Sequence, residues 1–128
     1  MQKDIRVVAH RGLSGTYPEN TLLAFRKALE IHADVIEFDV HLTRDGHLVV
    51  VHDDTVDRTS NGTGRVSSLS LAELKALDFG SWKSPRFAGE MIPTLDETLD
   101  TILSQRSDMS FCLEVKEDSE ETARRSLA

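Results

Sequence analysis

The 128-residue chain carries 22 acidic and 15 basic residues, a net charge of -7, which excludes the basic face that a nucleic-acid backbone requires. Hydrophobic residues make up 39% and charged residues 29%, the balance of a folded domain with a core and not of a disordered chain. No run approaches the ~18 apolar residues of a membrane helix, so no stable membrane insertion is expected. The N-terminus lacks a signal peptide's apolar core, and the lone Cys112 forbids an intrachain disulfide, so a reducing cytoplasm is the expected compartment.

In chain order, "IRVVAH" (5–10) reads as a first strand ending in His10 and Arg11. "NTLLAFRKALEIH" (20–32) reads as a helix with Leu22, Phe25, Ala28 and Leu29 on one face and Asn20 as its cap after Pro18. "DVIEFDVHL" (34–42) is the second strand. Alternation sends Glu37 and Asp39 to the same side, about 7 Å apart along a backbone that rises ~3.4 Å per residue. Two carboxylates that close repel unless a cation or a proton compensates them. "HLVVVH" (47–52) is the third strand, joined to the second by the tight Asp-Gly turn of "TRDGH". That link has no room for a crossover helix, so the two strands are either antiparallel neighbours or one of them is misassigned.

Residues 53 to 93 form a long connection for a compact domain. Within it, "SNGTGR" reads as a plain turn, and Ser70 and Glu73 form a capping box for the short helix "LAELKAL". Phe79, Trp82 and Phe87 read either as a lid or, better, as a hydrophobic cluster pinning the segment. Thr94 and Glu97 repeat the capping box before the amphipathic "LDETLDTILSQ". "SFCLEVKE" (110–117) is the fourth strand, with Cys112 expected as an inert core thiol, and a further helix is expected from about Asp118 or Ser119.

Polar residues gather where these strands end: His10 and Arg11, Glu37 and Asp39, His52, and Glu114 and Lys116. In sheets of alternating β and α units, that end collects active sites. Glu37, Asp39 and Glu114 form an oxygen donor set suited to Mg²⁺ or Ca²⁺. Zinc is disfavoured, because no cysteine cluster or paired-histidine spacing accompanies them. His10 and His52 are imidazoles, the side chain suited to general acid–base work. Arg11 and Lys116 add positive charge for a developing phosphoryl oxyanion. This set describes phosphodiester cleavage better than acyl transfer, since no nucleophile elbow is present.

The stretches "AHRG" (9–12), "PENT" (18–21), "IEFDV" (36–40), "DGHLVVVHDDTVDRTSNGTG" (45–64), "IPTLDETL" (92–99) and "LEVK" (113–116) resemble, in order, those of the glycerophosphodiester phosphodiesterase family. The resemblance implies an α/β fold of the (β/α)₈ TIM-barrel type, with roughly the first four strands present and an insertion after the third. Residues 1–128 would then be the N-terminal half of the domain, with 53–93 as the insertion. It also implies that the second and third runs are successive barrel strands despite their short link.

For the site, the resemblance implies Glu37, Asp39 and Glu114 as metal ligands, His10 and His52 as the acid–base pair, and Arg11 and Lys116 as phosphate contacts. Asp53 and Asp54 read as supporting or loop-capping groups. The implied reaction is attack by the glycerol hydroxyl beside the phosphate, giving a cyclic phosphate that water then opens. The products are glycerol 3-phosphate and an alcohol such as choline or ethanolamine. Two alternatives stand beside this reading: a phospholipase-D-like hydrolase of lysolipids, and a non-catalytic half-barrel. A barrel that stops after four strands leaves open sheet edges, so association of two chains is expected.

Overall fold

The computed structural model describes residues 7–107 and 109–115. The described strands form one sheet. Strand β1 (Val8–His10) leads through helix α1 (Leu22–Glu30) to strand β2 (Val35–Leu42). β1 and β2 are parallel, with Val8 opposite Val35 and His10 opposite Glu37. Strand β3 (Leu48–Val50) follows at once, and helix α2 (Leu71–Lys75) lies in the segment beyond it. Helix α3 (Leu95–Gln105) then returns the chain to strand β4 (Ser110–Val115). β4 runs parallel to β2, with Val35 opposite Ser110 and Asp39 opposite Glu114. The parallel order is therefore β1–β2–β4, with a helix on each crossover.

The third run departs from what the resemblance implies. β3 pairs antiparallel with β2, Val40 opposite Val50 and Leu42 opposite Leu48. The reason is the Asp45-Gly46 turn, whose glycine takes φ +86°: so short a link can only reverse the chain. β3 shares one edge of β2 with β1. Glu37 O accepts from Arg11 N–H at 2.8 Å and Asp39 O accepts from Val51 N–H at 3.0 Å, and carbonyls two residues apart on a strand face the same edge. The hairpin thus brings the residues after β3 back down to the level where β1 ends.

Helices α1 and α3 cover one face of the sheet. Phe25, Ala28 and Leu29 of α1 meet Ile36, Phe38 and Val40 of β2 and Leu95 and Ile102 of α3. The Phe25 and Phe38 rings pack edge to face at 5.8 Å. Both are fully buried, so truncating either to alanine would cost about 3–5 kcal/mol.

Segment 53–93 builds a second core from Val56, Val66, Leu74, Phe79 and Ile92. β3 joins the two, because alternation sends Val50 into the first core and Val49 and Val51 into the second. Its apolar residues on both faces follow from this. Both capping boxes form, Ser70 with Glu73 and Thr94 with Glu97. Lys75 ties α2 to the start of α3 by donating to Ile92 O and to Glu97 Oε1.

Two local expectations are corrected. The cap of α1 is Thr21, whose hydroxyl accepts from Ala24 N–H, whereas Asn20 takes φ +55° and turns its amide toward Asp39. Cys112 is exposed, because it stands opposite Glu37 on the sheet face away from α1 and α3. Lys116 and the expected helix from Asp118 or Ser119 lie outside the described residues. Among the described residues no helix is long and apolar enough to cross a membrane.

Candidate active site

β1 delivers His10 and Arg11, and the chain then turns sharply through Arg11 (φ +60°) and Gly12 (φ +80°). Gly12 passes so close to α1 that a Cβ there would sit 2.8 Å from the Cβ and carbonyl carbon of Ala24. Glycine is required both by the backbone conformation and by the space. Leu13 N–H then donates to Ala24 O, fixing the turn on the helix.

On the face away from α1 and α3, the parallel register sets His10 beside Glu37, with Nε2 2.9 Å from Oε1. Asp39 is 1% exposed, so its charge needs partners inside the protein. Asn20 Nδ2 donates to Asp39 Oδ2 at 3.4 Å, and Arg11 Nε lies 3.8 Å from the same oxygen. These groups answer the repulsion that the spacing of Glu37 and Asp39 raises. Arg11 also donates from Nη1 to Glu19 at 3.4 Å.

Glu114 faces Asp39 across the β2–β4 pair and is exposed, so all three expected carboxylates share one face of two neighbouring strands. Their oxygen donors fit a hard divalent cation in chemistry. Among the described residues no three acidic, cysteine or imidazole groups converge as they stand. Glu37 is engaged by His10, and Asp39 by Asn20 and Arg11.

His52 arrives on the returning hairpin. Its carbonyl accepts from Nε2 of His41, a 3% exposed residue that alternation places on the face of Glu37 and Asp39. Its ring Nδ1 lies 2.8 Å from Asp53 Oδ1. Arg58 binds the same carboxylate, with Nε 2.9 Å from Oδ2 and Nη2 3.1 Å from Oδ1. Hydrogen bonds from Arg58, and then from His52, hold the Asp53 carboxyl down at about 2 despite partial burial. The other side of the Arg58 guanidinium meets both oxygens of Glu19, at 3.0 and 2.9 Å.

Segment 53–93 also reaches the β1 turn, where Lys83 Nζ donates to Ser14 O. Trp82 has two cations near its ring, Arg58 at 5.7 Å and Lys83 at 5.8 Å, and keeps about a third of its surface exposed. Phe79 and Phe87 are buried, Phe79 in the second core and Phe87 against Tyr17. Phe79 thus belongs to the cluster that pins the segment, whereas Phe87 packs on Tyr17.

The structure brings His10, Arg11, Glu37, Asp39, His52 and Glu114 to one end of the sheet. Sequence reasoning missed Glu19, Asn20, His41 and Arg58 as neighbours of that set. His41 carried a local signal in its two-residue spacing from Asp39, and Glu19, Asn20 and Arg58 lay within the stretches that carry the resemblance.

A model of the glycerophosphoryl diester phosphodiesterase family matches residues 10–127. The chain is 57% identical over 96 residues to a glycerophosphodiester phosphodiesterase of Caldanaerobacter subterraneus, covering 75% of this chain and 40% of that protein. It is 46% identical over 104 residues to a glycerophosphodiester phosphodiesterase of Bacillus subtilis, covering 75% and 36% respectively. Its fold matches an Oleispira antarctica phosphodiesterase solved with the product sn-glycerol-3-phosphate, at TM-score 0.90 and 42% identity. That match covers 96% of this chain and 50% of the other. The fold is accordingly of the (β/α)₈ barrel type, and the chain spans 40% or less of these two curated relatives and about half of the solved structure.

Proposed function

We propose, for a chain that belongs to the glycerophosphoryl diester phosphodiesterase family, metal-dependent hydrolysis of small-molecule glycerophosphodiesters to glycerol 3-phosphate and an alcohol. In this reading residues 1–128 supply the N-terminal half of a barrel domain, with 53–93 as its insertion, working in the cytoplasm. The observation that carries it is the hairpin return. It returns the chain along β2, with Arg11 N–H on Glu37 O and Val51 N–H on Asp39 O, so the backbone of His52 lies near that of His10; in this reading the two imidazoles and the carboxylates act on one substrate.

Glu37, Asp39 and Glu114 would hold Mg²⁺ or Ca²⁺, which supplies charge neutralisation for the phosphate oxygens. Arg11, held beside Asp39 through Nε and on Glu19 through Nη1, would contribute its positive charge toward a phosphate oxygen, and Lys116 would supply a second cation. A carboxylate only accepts hydrogen bonds, so His52 carries its neutral-state proton on Nδ1 toward Asp53 and exchanges protons with substrate at Nε2. By the same argument His10 donates Nε2–H to Glu37 and has Nδ1 for proton transfer. One imidazole takes the proton of the glycerol hydroxyl as it attacks phosphorus, and the other protonates the departing alcohol. Water then opens the cyclic phosphate with the roles reversed.

His10→Ala and His52→Ala test the assignment. Each is expected to lower turnover of glycerophosphocholine by at least ~10²-fold while divalent-cation affinity persists. Near-normal turnover in either variant removes that histidine from the mechanism. Cation binding without any release of glycerol 3-phosphate by the parent chain would favour the non-catalytic reading.

A further inference from the structure

The Arg58 guanidinium touches no expected catalytic group, yet it is the centre of the largest ion-pair cluster beside His52. Its Nε edge meets both oxygens of Asp53, and its Nη edge meets both oxygens of Glu19. A planar fork binding two carboxylates bidentately is the strong, geometrically specific form of this interaction. Glu19 belongs to the loop between β1 and α1, and Asp53 and Arg58 to the segment after β3, so the pairs join loops 39 residues apart in sequence. Glu19 is 8% exposed, which gives the far end of the cluster a fixed seat. Trp82 flanks the guanidinium at 5.7 Å and limits where it can move.

We infer that Arg58, seated on Glu19, is a positioning residue that holds Asp53 against His52 Nδ1 and thereby selects the tautomer whose Nε2 is open to substrate. The inference rests on the proposed role of His52, but it concerns a ring orientation that can be observed without turnover. Asp53 sits next to His52 in sequence on a half-buried bend, and an aspartate has several rotamers. In the one observed, Arg58 binds both oxygens and Oδ1 lies 2.8 Å from Nδ1. Loss of the fork frees the carboxylate to turn to solvent, and the imidazole then reverts toward the mixture an unheld ring adopts. The binding of the His52 carbonyl by His41 fixes the backbone but leaves the ring free to turn, so the two contacts have separate tasks.

The test is the ¹⁵N spectrum of the histidine-labelled 128-residue chain at a pH where imidazole is neutral, with His52 assigned by comparison with His52→Ala. In the parent chain His52 Nδ1 is expected in the protonated, pyrrole-like range. Arg58→Gln should move it toward the unprotonated range with the melting transition still cooperative, and Glu19→Gln should move it the same way by less. Arg58→Lys should behave as Arg58→Gln, because one ammonium cannot present two edges to two carboxylates. Where the parent turns over substrate, Arg58→Gln should lower kcat more than it changes KM. A parent His52 protonated on Nε2 overturns the inference, as does an Arg58→Gln spectrum in which Nδ1 is unmoved. Should Arg58→Gln not fold, Glu19→Gln decides by the same criterion. Absence of turnover in the parent would refute the proposed function and leave the tautomer result standing.

Discussion

Replacing Gly12 by alanine adds one methyl group at the turn that carries His10 and Arg11 off β1. Two costs follow. An L-residue at φ +80° is strained by roughly 1–2 kcal/mol. The new Cβ also lies 2.8 Å from Ala24 Cβ and from its backbone carbon, an overlap that only a shift of α1 or of the turn relieves, at about 1–3 kcal/mol. The sum, about 2–5 kcal/mol, is a large share of the ~5–15 kcal/mol that holds a domain together. Two other glycines separate the terms. Gly64 has φ +116° and nothing within 4 Å of an added Cβ, so Gly64→Ala should show the strain alone, about 1–3 kcal/mol. Gly15 has an ordinary φ and open space, so Gly15→Ala should be neutral or stabilising by up to about 1 kcal/mol. Urea unfolding of the three variants gives the order directly. A Gly12→Ala midpoint equal to that of the parent, or a Gly64→Ala loss as large as that of Gly12→Ala, would refute the close-approach argument.

The other predictions concern the ionised groups and the open face. Glu37→Ala and Glu114→Ala should each abolish divalent-cation binding in calorimetric titrations with Mg²⁺ and Ca²⁺, because few other oxygen donors share that face. Unchanged affinity in both would remove the metal assignment. The Asp53 carboxyl, held at about 2 against an ordinary 3.8, contributes stability that is complete above about pH 4 and disappears as pH falls through about 2. Melting temperatures between pH 5 and pH 2 should therefore fall less steeply for Asp53→Asn than for the parent; equal slopes contradict the pairing. Val7 and Val8 are 42% and 52% exposed, and among the described residues no strand pairs with the outer edges of β1 and β4. Light scattering at micromolar concentration should accordingly show association, and a monodisperse monomer near 14.3 kDa would contradict it.

Features written in neighbouring residues were legible in the sequence. Both capping boxes need only a hydroxyl and a glutamate three positions on, and both formed as expected. The α1 face was legible for the same reason, because 3.6-residue periodicity is local. The choice between Asn20 and Thr21 as cap was not, since both side chains can cap. It was decided by contacts far along the chain, with Asn20 N–H donating to Arg11 O and its amide reaching Asp39. The direction of β3 was contained in the Asp45-Gly46 link, and the resemblance alone pointed the other way. Exposure of Cys112 was also implied, since it alternates onto the face of Glu114. No local pattern announces that Arg58 binds Glu19 across 39 residues; only the hairpin return and the second core bring them together.

The central claim is that the carboxylates and the two histidines at this end of the sheet form a metal-dependent phosphodiesterase site. Its most direct test is release of glycerol 3-phosphate from glycerophosphocholine by the purified 128-residue chain, measured with Mg²⁺ or Ca²⁺ and again after chelation. The account predicts turnover that chelation abolishes, that added cation restores, and that His52→Ala lowers by at least ~10²-fold. Turnover indifferent to chelation, or no turnover from a folded chain that binds the cation, would contradict it.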